Sequence, residues 1–405
     1  MQTNQIQRDK LWNKNFLAVC AANFLMCFAF YILMPTMPFF LKETFGASNT
    51  MIGIVLSCYT LAILFIRPFS GYIADSFPRK PVYVAFFILY FAMFLFYPYA
   101  HLLWLFIACR MVQGLFFGIL STSGNTLVID VMPSSRRGEG IGYYGAMNNL
   151  AMAFGPMIGL ILLKKANFNI LFYTSAVSTF IGVLCAASVV VKSRPLQKHE
   201  PISLNRFLLI KGLPCAFALV LGTVAYGMTN SYIALYSEQI GLHSASGAFF
   251  AVMAVGLVLS RVFSGKKVDQ GHITDVVQSG FIFVVIGVLL EIFLSAITGF
   301  NHTLGFIAIL MAGFMAGYGY GTMVPALNTL FINLAPNNRR ATANSTYLTS
   351  WDIGIGSGLF LGGYISEHLS FPATYAIGVT LVIIAMIMFI KYVTPHYHKN
   401  KLTNN

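Results

Sequence analysis

Long apolar runs, each separated from the next by a short polar break, recur along the whole chain of 405 residues. A helix that crosses the hydrocarbon core of a bilayer needs about 20 predominantly apolar residues. Hydrophobic residues make up 57% of the sequence and charged residues 9%, which is more apolar surface than a globular core can bury. The runs therefore predict an all-α membrane protein with twelve spans, near 15–41, 50–73, 82–99, 103–130, 138–163, 168–191, 212–237, 246–265, 275–297, 304–333, 341–365 and 372–393.

Two sets of residues recur at fixed distances and divide the chain into related halves. Arg67, Gly71 and Asp75 follow one another at a spacing of four, so they share one face of a helix. They return 194 residues later as Arg261, Gly265 and Asp269. A second set returns after 203 residues, in which Asn125, Pro133, Arg136, Arg137 and Tyr144 become Asn328, Pro336, Arg339, Arg340 and Tyr347. We therefore predict two pseudo-symmetric six-helix bundles, over 1–191 and 212–405, joined by a cytoplasmic linker over 192–211, which is a layout of secondary transporters.

The net charge of +13 is distributed in a way that reports membrane topology. Of the 25 Lys and Arg residues, nineteen lie on the side of the amino terminus, three on the opposite side, and three within spans. Short cytoplasmic loops of membrane proteins carry such an excess of positive charge. The distribution predicts an inner (plasma) membrane protein with both termini cytoplasmic, and it argues against nucleic acid as the partner. The first span is too long for a signal peptide.

Three short motifs carry a resemblance to a known family. After the second span come Gly71, Asp75, Arg79 and Lys80, with Pro78 where the family has glycine. The fourth span holds Arg110, Gln113, Gly114 and Gly118, and the fifth holds Gly142, Gly155, Pro156 and Gly159. With these motifs the chain resembles major facilitator superfamily transporters over essentially its full length, and it is most similar to the twelve-helix drug:proton antiporters.

The resemblance implies a gating role for residues at the span ends. In the family, the aspartate that corresponds to Asp75 caps the start of the eleventh helix, here near Ala341, and holds the outward-facing state. Gly155 and Pro156 are expected at a hinge or at the contact between the halves. The gating residues that we predict are Arg67, Gly71, Asp75, Arg79, Lys80, Arg136, Arg137, Gly155, Pro156, Arg261, Gly265 and Asp269. The alternative is that the charges only fix the topology and the glycines only allow packing.

Proton coupling needs a group that gains and loses a proton during the transport cycle. Many antiporters of this kind carry an acid in the first helix, where this chain has Asn23 and no acid. Asp352, in the middle of the eleventh span, is the best replacement, because carboxylates at membrane depth are rare and usually functional. Glu291 is the second candidate, although the ninth span packs on the outside in the family. Arg110 lies inside the fourth span and is predicted to contact substrate or to modulate proton release. For Asp352 and Arg110 the alternative is a structural hydrogen bond.

Polar residues of the first, fourth, seventh and tenth spans are expected, from the family's arrangement, to face a central cavity. The predicted substrate-binding residues are Asn23, Tyr31, Arg110, Gln113, Asn125, Tyr226, Asn230, Tyr318 and Asn328. Each has packing between helices as its alternative role. His396 and His398 form a possible metal pair, but a solvated tail explains them better, so we predict no metal site.

The sequence thus predicts a secondary transporter that works by alternating access, exports a small organic compound, is not an enzyme, and needs no cofactor beyond a proton gradient. Its partners are the small organic substrate, protons and the lipid bilayer, and we expect a monomer. Multidrug-type efflux is one interpretation. Export of a specific metabolite, such as a sugar or a metal-chelating amino-acid derivative, is the second, and a transport-fold sensor that moves no solute is the third.

Overall fold

The computed structural model describes residues 11–133, 136–165, 167–191, 208–243, 245–336 and 339–402. The predicted linker over 192–211 therefore lies outside the description except for its last residues. Within the described helices, some side chains also lie outside it, namely those of Ala74, Asp75, Arg137, Gly138, Val262, Phe263, Lys266, Asp269 and Ala341.

Within those ranges the chain forms twelve long helices. They are α1 (Lys14–Leu33), α2 (Asn49–Ser76), α3 (Arg79–Phe96), α4 (Leu103–Val131), α5 (Arg137–Lys165), α6 (Phe168–Ser188), α7 (Leu213–Gln239), α8 (Ala245–Asp269), α9 (Ile273–Phe300), α10 (His302–Asn333), α11 (Arg340–His368) and α12 (Phe371–Met388). A π-helical turn, Phe389–Val393, continues α12 into the short helix Thr394–Asn400.

Length and hydropathy single out ten helices of the described chain as candidate membrane spans. Of the other two, α8 has a shorter apolar stretch, Ala245–Arg261, and α11 carries many polar residues. The first predicted span, 15–41, was too long. The helix α1 ends at Leu33, and a separate short helix, Met37–Phe45, follows with Pro38 in its first turn. Pro35 lies between the two, where its ring prevents a continuous helix.

Glycines let α4 approach α2, and the same contact returns in the second half. A Cβ added at Gly114 would lie 2.4 Å from the carbonyl oxygen of Tyr59 on α2. On α10, a Cβ at Gly317 would lie 2.1 Å from the carbonyl oxygen of Met253 on α8. Met253 follows Tyr59 by 194 positions and Gly317 follows Gly114 by 203, so the packing repeats at both offsets found in the sequence.

The two halves meet where α2 packs on α11 and where α5 packs on α8. Glycines again set the first of these contacts. A Cβ at Gly363 of α11 would lie 2.2 Å from the carbonyl oxygen of Asn49, and one at Gly53 of α2 would lie 2.8 Å from that of Leu359. The start of α2 and the end of α11 are therefore in backbone contact, which small residues permit in membrane helices.

Candidate functional site

Arg67 of α2 and Asp352 of α11 form an ion pair across the contact between the halves. The Nε and Nη2 atoms of Arg67 donate to Oδ2 of Asp352 at 3.0 and 2.5 Å. Their side chains are 7% and 13% exposed, so both charges are removed from most solvent. Two residues that the sequence assigned to separate roles, gating and proton coupling, thus form one site.

Aromatic residues of α1, α7, α10 and α11 lie near this ion pair. Tyr31 of α1 and Tyr347 of α11 lie within electrostatic range of Asp352. The ring of Tyr226 on α7 lies 5.2 Å from that of Trp351 and 4.9 Å from that of Tyr320. Tyr31 and Tyr226, two of the predicted substrate-binding residues, are both buried.

A second polar cluster lies in the first half, around Arg110 of α4. Its Nη1 atom donates to Oε1 of Gln113 at 3.2 Å and to the hydroxyl of Tyr97 at 3.5 Å. Its guanidinium carbon lies 4.5 Å from the ring centre of Tyr59. Tyr97 also donates to Oε1 of Gln113. All partners of this buried cation in the described structure are neutral.

Glu291 of α9 is fully buried. The hydroxyl of Thr229 on α7 donates to Oε2 of Glu291 at 2.8 Å. Its second carboxyl oxygen, Oε1, has no hydrogen-bond partner among the described residues. Glu291 therefore connects α9 to α7 through Thr229.

Two ion pairs lie at the ends of helices that carry predicted gating residues. Arg79 donates to both carboxyl oxygens of Asp130 on α4, each at 2.9 Å. Arg136 pairs with Glu139 at 2.8 Å at the start of α5. The contact of Asp130 with Arg79 connects α3 to α4.

The structure describes the surroundings of only some of the other predicted gating residues. The side chains of Asp75, Arg137 and Asp269 lie outside the described part of the structure. Lys80 is half-buried, and Arg261 is exposed and within electrostatic range of Tyr347. A Cβ added at Gly71 or Gly265 would meet no atom within 4 Å.

Gly155 of α5 lies in close contact with α1, and the hinge role predicted for Gly155 and Pro156 stays a prediction. A Cβ at Gly155 would lie 2.6 Å from Cβ of Tyr31, and one at Gly159 would lie 2.3 Å from the carbonyl oxygen of Ile32. Asn23 belongs to the same helix pair, because its amide nitrogen donates to the carbonyl oxygen of Tyr144. Asn23 thus connects α1 to α5 within the first half.

The remaining predicted substrate residues make local contacts. Asn125 and Asn230 donate to carbonyl oxygens one turn earlier in their own helices, those of Ser121 and Tyr226. Tyr318 packs its ring on Phe283 of α9, at 4.6 Å between centres. The amide oxygens of Asn230 and Asn328 are buried and accept no hydrogen bond from the described residues.

Glu367, which the sequence did not indicate, joins the end of α11 to the start of α2. The backbone N–H of Thr50 donates to Oε2 of Glu367 at 2.6 Å. Glu367 lies beyond the predicted span, and its hydrogen bonds with Thr50 and, to a lesser extent, with Ser48 lower its pKa to about 2. A carboxylate at a helix N-terminus is also stabilised by the helix dipole.

The apolar groove on the outside of α9 differs from these polar clusters. It has a volume of about 600 Å³ and is lined by Ile286, Leu289, Leu290, Phe293, Ala296, Ile297, Phe300 and Leu304. All of these side chains are apolar, so the groove has nothing that binds a polar or charged cargo. Within the described residues, no group of three or more His, Cys, Asp or Glu side chains could hold a metal ion.

Sequence reasoning missed several residues of these clusters. Tyr59 and Tyr97 beside Arg110 carry no signal of their own among the 20 tyrosines of the chain. The pairing of Arg67 with Asp352 had a usable signal, because each is a charge within a span and the two have opposite sign. Such charges in membrane helices usually pair with one another.

Comparison with known proteins agrees with this architecture. The sequence profile of the Major Facilitator Superfamily matches residues 19–358 and 271–405 of the chain. The staphylopine export protein of Staphylococcus aureus (strain Mu50) is 25% identical over 366 residues, which are 86% of this chain and 89% of that protein. The quinolone resistance protein NorA of S. aureus (strain MRSA252) is 24% identical over 397 residues, covering 94% and 97%.

A solved structure shows the same fold. The crystal structure of a D-xylose-proton symporter superposes with a TM-score of 0.77 at 14% identity, covering 97% of this chain and 100% of that one. At this identity the likeness concerns the fold, which is the twelve-helix arrangement of a transporter. With a family match over nearly the whole sequence and this fold, the chain belongs to the Major Facilitator Superfamily.

Proposed function

We propose that this transporter exports a small organic compound in exchange for protons, and that the Arg67–Asp352 ion pair couples the two movements. The observation that carries the proposal is the position of this buried pair between the halves. A carboxylate that pairs with a cation of the opposite half holds the halves together when ionised. Once protonated, it loses the charge that attracts Arg67.

The proposed movement is a rocking of the half 1–191 against the half 212–405, joined by the linker 192–211. With both termini in the cytoplasm, the start of α2 and the end of α11 face the outside. The backbone contacts at Gly363 and Gly53 then close the outer side. In this state Asp352 is ionised, and the cargo enters from the cytoplasmic side of the plasma membrane. The transporter acts as a monomer.

The ion pair prevents the empty transporter from opening outward in this scheme. Separating α2 from α11 would leave two unpaired charges at membrane depth, which is energetically unfavourable. Bound cargo supplies the free energy to separate them, Asp352 takes a proton from the outside, and the neutral acid lets the halves close again. Proton release to the cytoplasm then restores the pair.

The names of two relatives, an export protein and a resistance protein, support outward transport. The experiment is a measurement of proton movement in proteoliposomes, with drugs, sugars and metal chelators added in turn. We expect at least one compound to drive proton movement in the wild type and none to do so in Asp352→Asn. Flux that is independent of a proton gradient, or equal in Asp352→Asn, would overturn the proposal.

A further inference from the structure

The polar cluster around Arg110 contains hydrogen-bond donors that the protein itself does not use. The Nε atom of Arg110 and the amide nitrogen of Gln113 are both buried and have no partner among the described residues. Arg110 is 5% exposed and Gln113 is 1% exposed. The two residues are three positions apart on α4, so their side chains lie on the same face of the helix.

The contacts that Arg110 does make leave one edge of its guanidinium without a partner among the described residues. Nη1 is occupied by Gln113 and Tyr97. Nε and Nη2 form the other edge, and neither donates to a described residue. These two atoms are the pair of parallel donors that binds a carboxylate in a two-pronged arrangement.

The charge of the cluster also lacks compensation. A cation within a membrane span is expected to have a charged or polar partner. Within the described residues, no carboxylate lies within ion-pair distance of Arg110, in contrast to Arg67 with Asp352. Because the unused groups are donors and the net charge is positive, a matching ligand must supply acceptors and a negative charge.

Aromatic rings border the cluster. The ring of Phe30 stacks on Tyr59 at 5.2 Å between centres and on Phe117 at 5.7 Å. Phe30 and Phe117 are only partly buried, so part of their surface is accessible. Such rings accommodate an apolar or aromatic body next to the charged group.

We infer that Arg110 and Gln113 bind the carboxylate of the exported compound, and that this compound is a small organic acid with an apolar or aromatic body. The inference rests on the proposed export function but concerns the cargo alone. Tyr97 holds the amide oxygen of Gln113, so the amide nitrogen of Gln113 is directed away from Tyr97 as a donor. Tyr59 supports the guanidinium through its ring face.

Thermal unfolding of the purified full-length protein in nanodiscs tests this site without a proton gradient. The probes are benzoate, 3-phenylpropionate and N-benzoylglycine, each compared with its own amide. We expect the acids to raise the Tm of the wild type and the amides not to do so. Arg110→Gln should lose the shift and Gln113→Leu should weaken acid binding about tenfold, since a hydrogen bond to a charged group is removed.

Two further variants keep the test decisive. Arg110→Lys retains the charge but not the two-pronged edge, so it should bind the acids more weakly than the wild type and more tightly than Arg110→Gln. Lys391→Gln removes a positive charge that does not belong to the Arg110 cluster. This variant should therefore bind the acids as the wild type does. If Arg110→Gln does not fold, Gln113→Leu and Arg110→Lys carry the comparison.

The inference is overturned if no acid raises the Tm more than its amide, or if the Arg110 and Gln113 variants bind the acids as tightly as the wild type. Loss of acid preference together with intact Asp352-dependent proton exchange would refute the carboxylate site and leave the export function standing. Acid binding without any flux would support the carboxylate site and refute the export function.

Discussion

Asp352→Asn is the substitution that tests the coupling mechanism most directly. It keeps the size of the side chain and removes the charge that pairs with Arg67. Arg67 would then remain 8% exposed without a counter-ion. Removal of one partner from a buried ion pair is destabilising by about 3–5 kcal/mol.

This free energy acts on the state in which α2 and α11 are in contact, because the pair exists only there. At 1.4 kcal/mol for each tenfold change, 3 kcal/mol reduces the population of that state about a hundredfold relative to the open state. We expect water in the polar centre to reduce the effect, so the lower end of the range applies. The variant should shift toward the open state and lose the link between cargo and protons.

The assay is a double-mutant cycle with Arg67→Met, Asp352→Asn and the combination of both, read by thermal unfolding and by proton movement in proteoliposomes. Each single variant leaves one buried charge without its counter-charge, whereas the double variant removes both charges. We therefore expect the double variant to be more stable than the sum of the single effects, by about 0.5–3 kcal/mol. Additive effects on stability, or cargo-driven proton movement at the wild-type rate in Asp352→Asn, would refute the reasoning.

Three other substitutions have defined outcomes. Glu291→Gln should keep both the Tm and cargo-driven proton exchange, because the amide preserves the hydrogen bond and Asp352 carries the proton; loss of exchange in this variant would assign the proton to Glu291 instead. Gly159→Ala should reduce stability in thermal unfolding by about 1–3 kcal/mol, because its Cβ would lie 2.3 Å from a backbone oxygen of α1. Gly142→Ala on the same helix meets no atom within 4 Å and serves as its control; equal losses would contradict the packing argument. Glu367→Gln should favour outward opening in spin-label distance measurements without moving the midpoint of the transport pH profile. The pKa of Glu367, at about 2, is below its ordinary value of 4.5, so its contact is present above pH 4.5 and is lost only as the pH falls toward 2. A shifted midpoint would show that Glu367 titrates in the working range.

The repeated glycines show why much of the fold could be predicted from the sequence. Gly114 and Gly317 each allow a close helix contact, and a duplicated chain repeats that contact at a fixed offset. The lengths of the apolar runs are set by the bilayer, so the twelve helices followed from composition and spacing. Only the first span was misjudged, where a proline ends α1 early.

The site was less predictable because its contacts join distant parts of the chain. Arg67 and Asp352 are separated by 285 positions, and nothing local relates them. Asn23 was expected in the cavity, but its side chain is directed toward α5. Several faces of a membrane helix bury polar groups, so the sequence alone does not reveal which neighbour receives one.

Duplication alone would give two equivalent contacts between the halves, α2 with α11 and α5 with α8. In this chain the two contacts differ in the residues at related positions. The contact of α2 with α11 contains Arg67 and Asp352. At the related positions the chain has Arg261 on α8, 194 positions after Arg67, and the neutral Asn149 on α5, 203 positions before Asp352. Asn149 donates to the carbonyl oxygen of Gly145 within its own helix. Arg67 thus has a partner that can take up a proton, whereas the position of α5 related to Asp352 carries a neutral amide. A duplicated chain can therefore keep related helix packing in both contacts and still place a titratable carboxylate in the contact of α2 with α11, where the proposed proton coupling would act.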